Sequence, residues 1–393
     1  MEKGRRKVLF ASLLAGALVS WAPACHTPEA GPRQRVAEHS ATTKVSSVAA
    51  DSSFARLVAR LSEPGGYFDT DNLISNESSY LHVLGALERR GLRGGAYLGV
   101  GPDQNFSYIA RIRPNLAFLI DIRRDNLLQH IFFKALFARA RTRIEYLCLL
   151  FGKPFPPDGA RWKDADLRTL IGYIDAAPVQ AEHAEAARAR VQEAARHAGL
   201  PLSEADQAII GTIHSAFLRN GLDLQFTSHG RPARFYYPTY RDLLLEKDLT
   251  GAYGSYLARE DDYQFLKTLQ AQDRLVPVVG DLSGPHALAA IGDYLDEVGE
   301  AVSAFYTSNV EFYLMRQGRF DRFVENVTRL PLTDRSVIIR SYFNRFSSSH
   351  PQSVPGYTST QLLQTLESLV EEHERSGYRT YWDLVNRHSL DLR

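Results

Sequence analysis

Five short apolar runs recur along the chain, and four of them are followed directly by a segment with helical spacing of its apolar positions. The runs are GGAYLGVG (94–101), NLAFLIDI (115–122), RLVPVVGDLSG (274–284), AVSAFYTSN (301–309) and RSVIIRSYF (335–343). An apolar run without alternation predicts a strand that is buried on both faces, as in a parallel sheet. Strands that alternate with helices predict an α/β fold with a doubly wound, mostly parallel sheet.

The alternation stops between residues 152 and 235, where the sequence holds Ala-rich helical segments without a strand pattern. Glu and Arg recur there at the spacing of a solvated helix face. We therefore expect a helical insertion at about 152–235 within one domain that spans residues 53–393. Residues 26–52 are rich in Ala, Ser, Thr and Pro with few large apolar residues. That composition cannot bury a core, so it predicts a flexible linker.

The first 25 residues carry a cationic start, MEKGRRK, and then a short apolar run that ends in APAC at Cys25. This pattern resembles a bacterial lipoprotein signal peptide, in which the cysteine is lipidated and becomes the new N-terminus. The resemblance implies an exported protein held at the membrane by its N-terminal lipid, on the outer membrane or the periplasmic face. An ordinary secretory signal cut near Ala24 and an uncleaved anchor remain alternatives. The protein would be cytoplasmic if the segment is not an export signal.

Composition narrows the set of partners. Hydrophobic residues make up 44% of the chain, charged residues 23%, and the net charge is +1. These values are typical of a globular protein and give no electrostatic reason to expect a nucleic-acid partner. The chain has two cysteines, so lipidation of Cys25 would leave Cys148 without a partner for an internal disulfide.

Polar residues follow the predicted strands where ligands bind in a doubly wound sheet, outside the carboxyl ends. Gly99 and Gly101 end the first strand and allow a tight turn with close backbone approach to a small-molecule ligand. Asp121 ends the second strand, 22 residues after Gly99 (121 − 99). A carboxylate at this position can accept hydrogen bonds from both hydroxyls of a ribose. Asp281 follows the third strand.

This arrangement resembles the class I S-adenosylmethionine-dependent methyltransferases, which have a Rossmann-like fold. The resemblance covers roughly residues 80–150 and 270–345. It implies that Gly99 and Gly101 form the cofactor loop, that Asp121 binds the ribose and that Asp281 faces the adenine, with S-adenosylmethionine as cofactor. The sequence departs from the family pattern at Tyr97, where an acid is expected. Segments such as GVGPDQNF and AFYTSNVEFYL also resemble a bacterial family with this core, a likeness that implies no particular reaction.

Asp103 stands where the third glycine of a nucleotide loop would lie. A carboxylate at a helix N-terminus repels the pyrophosphate of a dinucleotide and attracts the ammonium and sulfonium groups of S-adenosylmethionine. The sequence therefore favours this cofactor over a nicotinamide dinucleotide. The simpler interpretation is that Asp103 only caps the helix that starts near Gln104.

The segment GYFDTDNLISNE (66–77) crowds polar residues ahead of the first strand. Asn72 and Glu77 are candidates for a lid over the cofactor. The Asp69-x-Asp71 pair also permits a metal and sugar-nucleotide site, although we expect no metal because that pair normally follows a strand. Alternatively, Ser75 or Asn76 caps a helix that begins near Ser78.

Asn309 and Glu311 follow the fourth strand, where methyltransferases place residues that meet the substrate. Here too a helix cap by Ser308 or Asn309 is an equal alternative.

The sequence supports two candidate functions. The first is a lipid-anchored S-adenosylmethionine-dependent methyltransferase-like protein whose acceptor and catalytic residues the sequence does not identify. The second is a non-catalytic binding or structural lipoprotein on the same fold. Export argues against the first, because S-adenosylmethionine is a cytoplasmic metabolite.

Overall fold

The five predicted strands all form, and they join a sixth in one sheet. The computed structural model describes residues 53–229, 231, 234–344 and 349–393. The strands are β1 (Ala96–Val100), β2 (Leu116–Asp121), β3 (Leu275–Val279), β4 (Val302–Ser308), β5 (Leu332–Phe343) and β6 (Ser359–Thr365). Their order is β3-β2-β1-β4-β5-β6, with every neighbouring pair parallel except β5 and β6. The predicted fold class is therefore confirmed.

The spacing of leucines in residues 359–377 predicts one helix that ends at Gly377, and this prediction was wrong. The structure makes Ser359–Thr365 a strand and starts the helix only at Leu366. The strand pairs along the whole carboxyl-terminal half of β5, and its backbone groups are satisfied there. The Thr365 side chain then accepts a hydrogen bond from the Ser368 amide, which begins the helix.

Helices surround the sheet. In the described part of the chain they are α1 (Ser53–Leu61), α2 (Leu84–Arg89), α3 (Gln104–Ile112), α4 (Arg124–Arg139), α5 (Arg143–Phe151), α6 (Leu167–Ala176), α7 (Ala181–Arg196), α8 (Glu204–Asn220), α9 (Tyr240–Leu244), α10 (Glu260–Ala271), α11 (Ala287–Val298), α12 (Val310–Arg316), α13 (Phe320–Val327), α14 (Leu366–Arg375) and α15 (Tyr381–Asn386). No helix of the described ranges is long and apolar enough to cross a membrane.

Two consecutive residues of β4, which point to opposite faces, show that helices cover the sheet on both sides. Phe305 packs its ring against Phe323 of α13, with ring centroids 6.1 Å apart. Tyr306, the next residue, points the opposite way and packs against Tyr108 of α3 at 5.1 Å. Both β4 residues are fully buried. This double burial explains why the strands are apolar throughout.

The segment between α5 and α9 is helical. It holds α6, α7, α8 and two short 3₁₀ turns, and α7 and α8 pack on α4. The signal peptide, the linker and Cys25, all predicted from residues 1–52, lie outside the described residues, so they stay predictions.

The sheet order fixes where a ligand would bind. From β1 the chain winds first towards β2 and β3 and then returns to β4 on the other side of β1. The topological switch point therefore lies between β1 and β4, and the rule for doubly wound sheets places the ligand crevice at the carboxyl ends of these two strands.

Candidate ligand site at the strand ends

A segment that precedes β1 lies across the carboxyl ends of the strands. We call residues 62–77 the roof. The Glu63 amide donates to the Val279 carbonyl at the end of β3 at 2.9 Å, and the Gly66 amide donates to the carbonyl of Ile122, just after β2, at 2.7 Å. Further along the roof, Gln129 Nε2 of α4 donates to the Leu73 carbonyl at 2.6 Å. Backbone and side-chain hydrogen bonds thus fix the roof over the predicted ligand site.

Gly101 is the turn residue that faces the roof. Its φ of 84° is left-handed, a conformation that favours glycine. A methyl group added at its Cα would lie 3.3 Å from Asn72 Nδ2 and 3.4 Å from Gln104 Nε2. The carbonyl of Gly101 accepts a hydrogen bond from His130 Nε2 at 2.9 Å. The structure therefore brings Asn72, a predicted lid residue, to the predicted glycine turn.

Gly99, predicted as part of a cofactor loop, has a packing role in the structure. Its missing side chain makes room for the Asn105 carboxamide and the Tyr97 ring, with which a Cβ would collide. Asn105 Nδ2 donates to the carbonyls of Val100, at 2.9 Å, and Pro102, at 2.7 Å. The Tyr97 hydroxyl holds the same carboxamide by donating to Asn105 Oδ1 at 2.7 Å. Gly99 thus serves the internal packing of the turn.

Asp121, the predicted ribose acid, is already paired. Arg123 Nε donates to its Oδ1 at 3.1 Å and Arg123 Nη2 to its Oδ2 at 2.9 Å, while the Arg123 amide adds a third bond to Oδ1. Arg123 Nη1 also donates to the carbonyls of Thr70 and Asp71 in the roof, at 2.8 and 2.9 Å. One buried guanidinium therefore joins the carboxylate at the end of β2 to the roof.

Asp103 lies at the predicted helix start, and its carboxylate is buried and hydrogen-bonded within the protein. It makes no side-chain cap bond. Its Oδ2 accepts hydrogen bonds from the Tyr240 hydroxyl at 2.5 Å and the Tyr256 hydroxyl at 3.1 Å. The carboxyl is buried, and burial raises its pKa to about 6, although the two phenols oppose that rise. The partners of Asp103 are therefore tyrosines of the protein, and its recruitment of a cationic ligand group stays a prediction.

Asp281 is also engaged within the protein. The Ser283 amide and hydroxyl donate to Oδ1 at 2.9 and 2.8 Å. Arg319 Nη2 donates to Oδ2 at 2.6 Å. Burial alone would raise the pKa of Asp281, but the hydrogen bonds and the guanidinium outweigh it and lower the pKa. The predicted contact of Asp281 with an adenine ring stays a prediction.

Glu77, the second predicted lid residue, anchors the end of the roof inside the sheet. Its fully buried carboxylate accepts hydrogen bonds from the hydroxyls of Tyr306, Ser308 and Ser341 and from Gln361 Nε2. These donors belong to β4, β5 and β6, and none of them is charged. Buried carboxylates need such donors to offset desolvation. Glu77 therefore holds the roof to three strands at once.

Asn309 and Glu311, the predicted substrate residues, have separate surroundings. Asn309 starts α12 without a side-chain cap bond, so the alternative of a simple helix cap does not account for it. Glu311 is fully buried and pairs with Arg340 of β5, with Nε to Oε2 at 2.6 Å. Glu311 Oε1 and Arg340 Nη2 have no hydrogen-bond partner within the described protein. The structure thus turns Glu311 into half of a buried ion pair.

Two of the six described non-glycine residues with left-handed backbone lie at the same edge of the sheet. Asn72 and Ser308 both have left-handed φ values, 49° and 54°, although neither is glycine. Asn72 lies against the Gly101 turn, and Ser308 donates to Glu77. Such strain is found where surrounding contacts over-determine the backbone, often at functional sites. Both residues therefore lie where the roof meets the ends of β1 and β4.

Asp69 and Asp71, the alternative metal and sugar-nucleotide pair, both contact a later loop of the chain. Asp69 pairs with Arg231, and Asp71 accepts a hydrogen bond from Thr227. Among the described residues, no group of three or more potential metal ligands converges. The predicted helix start near Ser78 was wrong, since α2 begins at Leu84.

The sequence analysis did not identify the side chains that bind the predicted acids Asp121, Asp103 and Glu77. Arg123 was visible two residues after Asp121, and that spacing permits a local ion pair. Tyr240 and Tyr256 meet Asp103 only through the return of the chain from the helical insertion, and no sequence signal indicates this contact. The same holds for the donors that converge on Glu77.

Comparison with known proteins gives one family. A model described as "Domain of unknown function (DUF7790)" matches residues 72–153 and 215–388. The match includes Asn72, Glu77, the Gly101 turn and Arg340, and it passes over residues 154–214. No curated protein matched the chain.

Proposed function

The chain belongs to the DUF7790 family, and from this premise we propose that it is a non-catalytic binding or structural protein on a methyltransferase-like Rossmann fold. In this proposal, the protein's own groups make the contacts that an adenosyl cofactor would otherwise make. The observation that carries the proposal is the double engagement of Arg123, with Asp121 on one side and the roof carbonyls on the other.

The pairing of Asp121 with Arg123 supports the proposal, because it competes with a ribose for the carboxylate. A vicinal diol needs to donate two hydrogen bonds to one carboxylate. Oδ1 of Asp121 already accepts two bonds and Oδ2 accepts one, all from Arg123. Displacing that guanidinium would also remove its bonds to Thr70 and Asp71. Charge-assisted hydrogen bonds contribute about 1.5–3 kcal/mol each, so a ribose would replace strong contacts with weaker neutral ones.

The partners of Asp103 and Asp281 also support the proposal. Asp103 is held by tyrosines, and Asp281 by Ser283 and Arg319. Neither carboxylate is left for the cationic or adenine end of S-adenosylmethionine. A self-contained core also agrees with the predicted export, since the cofactor is made in the cytoplasm. We include in the proposal that the protein is held at the membrane through lipid on Cys25.

A second candidate is an active S-adenosylmethionine-dependent methyltransferase, and the Gly101 turn favours it. This left-handed turn lies at the β1–β4 switch point and faces the carboxamides of Asn72 and Gln104. If the cofactor binds there, it supplies the methyl group. The residues of this chain would contribute orientation and exclusion of water, with the roof as cover.

Equilibrium dialysis of labelled S-adenosylmethionine against the full chain separates the two candidates. We expect no saturable binding by the wild type up to about 1 mM, which corresponds to less than about 4 kcal/mol of binding free energy. Arg123→Ala tests whether this guanidinium is the obstacle. Arg124→Ala is the matched control, because Arg124 pairs with Asp206 instead. Micromolar binding by the wild type would reject the proposal and support the methyltransferase.

A further inference from the structure

The helical insertion carries a groove that the crevice and the roof do not involve. Helices α7 and α8 form its two walls, and its volume is about 290 Å³. That volume is at the small end of the range for ligand sites. We call it the arginine groove; the residues that matter for its chemistry are Arg188, Gln192, Gly211, Thr212, Ser215 and Arg219.

The groove is shaped by small residues on α8. Gly211 lies within the helix, where glycine is less favourable than alanine. A Cβ at this position would approach Gln192 Nε2 to 3.2 Å. The absence of a side chain at Gly211 therefore leaves space in the groove beside the Gln192 carboxamide of α7. The two guanidinium groups stand on opposite walls, on α7 and α8.

The lining is cationic and contains no acid. Within the described residues, neither Arg188 nor Arg219 lies within ion-pair distance of a carboxylate. Neighbouring arginines do find acids, since Arg139 pairs with Glu193 and Arg241 pairs with Asp175. Like charges that share a groove without a counter-ion repel each other. An anion between the two walls would relieve that repulsion.

The donors in the groove define the chemistry of the ligand. The hydroxyls of Thr212 and Ser215 already donate to the helix carbonyls of Ala208 and Gly211, at 3.0 and 2.7 Å. The guanidinium groups and the Gln192 amide therefore remain as donors. Planar guanidinium groups suit the paired oxygens of phosphate. We propose that the arginine groove binds a phosphate group through Arg188 and Arg219, with Gln192 as a third donor.

This inference is independent of the proposed function of the core. Most of the groove falls in residues 154–214, which the family match passes over. A protein without any cofactor in its crevice could still bind a phosphate here. The phosphate could belong to a soluble ester or to a lipid headgroup, and the two sources share the chemistry above.

The test is calorimetric titration of the full chain with glycerol 3-phosphate. We compare the wild type with Arg188→Ala/Arg219→Ala and with the control Arg190→Ala/Arg196→Ala, which removes the same charge from α7 outside the groove. We expect saturable binding by the wild type and the control, and at least 10-fold weaker binding by the groove variant. Absence of saturable binding in the wild type overturns the proposal unless the vesicle arm is positive. So does equal binding by all three proteins.

A vesicle arm identifies the source of the phosphate. Flotation with phosphatidylcholine vesicles, with and without phosphatidic acid, is measured for the same three proteins. A lipid headgroup predicts that phosphatidic acid increases binding of the wild type and the control but not of the groove variant. A soluble ester predicts the titration result above without this increase. If neither arm depends on Arg188 and Arg219, the groove is not a phosphate site.

Discussion

The buried carboxyl of Asp103 gives the sharpest prediction about stability. Only 3% of the residue is exposed, and both hydrogen-bond donors to its carboxylate, Tyr240 and Tyr256, are neutral phenols. Burial raises its pKa from 3.8 to about 6. A raised carboxyl pKa means that the folded state holds a proton that the unfolded state has already lost. Between about pH 4 and pH 6 the wild type should therefore lose stability at this residue as the pH rises.

The size of the effect follows from that rise in pKa. A carboxyl whose pKa goes from 3.8 to about 6 on folding loses about 3 kcal/mol of stability at pH values above 6. The carboxamide introduced by Asp103→Asn cannot ionise, and its oxygen can still accept from the two phenols. This substitution should therefore raise the free energy of unfolding by about 1–3 kcal/mol at pH 7.5. The gain should shrink as the pH falls and approach zero only below a pH of 3.8, where the wild-type carboxyl is mainly protonated in both states.

Urea denaturation at pH 4.5, 6.0 and 7.5 measures this difference between variant and wild type. Buried neutral histidines act in the opposite direction, because burial lowers the pKa of His82, His130 and His214 to about 4. They affect both proteins alike and cancel in the difference. A variant less stable than the wild type at pH 7.5, or a difference independent of pH, would refute the reasoning.

Three further predictions concern the roof and its surroundings. Arg123→Ala should cost about 3 kcal/mol, the cost of breaking a buried ion pair, and should speed proteolytic cleavage within the roof, whereas Arg124→Ala, which removes the half-exposed partner of Asp206, should leave that cleavage unchanged. Glu77→Gln should cost about 1.5–3 kcal/mol in urea denaturation, since a carboxylate with four donors loses its charge; an unchanged midpoint would contradict its anchoring role. His130→Asn should reduce the loss of stability between pH 6.5 and pH 4, because wild-type His130 is kept neutral when folded and takes up a proton on unfolding; a pH profile that matches the wild type would exclude this source.

The strands were predictable because burial on both faces leaves a direct mark in the sequence. Phe305 and Tyr306 are both apolar and both buried, one on each face. The edge strand β6 escaped prediction because its leucines also satisfy helical spacing. Its strand conformation is decided by pairing with β5, which the local sequence does not encode.

The candidate site was predictable in position but not in its contacts. Gly101 and Asp121 lie where the strand pattern placed them, at the carboxyl ends of β1 and β2. The partners of the predicted acids come from distant parts of the chain. Tyr240 reaches Asp103 across 137 residues, and Arg123 reaches the roof across 53. Local rules identify residues that can bind a ligand, but only the packed structure shows that the protein binds them itself.

Hydrogen–deuterium exchange of the roof tests the central claim most directly. If the protein's own groups fill the cofactor positions, the amides of Glu63 and Gly66 should be protected in the ligand-free full chain, because they donate to the carbonyls of Val279 and Ile122. Adding S-adenosylhomocysteine should leave their exchange unchanged. Rapid exchange of these amides without ligand, followed by protection when S-adenosylhomocysteine is added, would contradict the account and indicate a roof that closes over a bound cofactor.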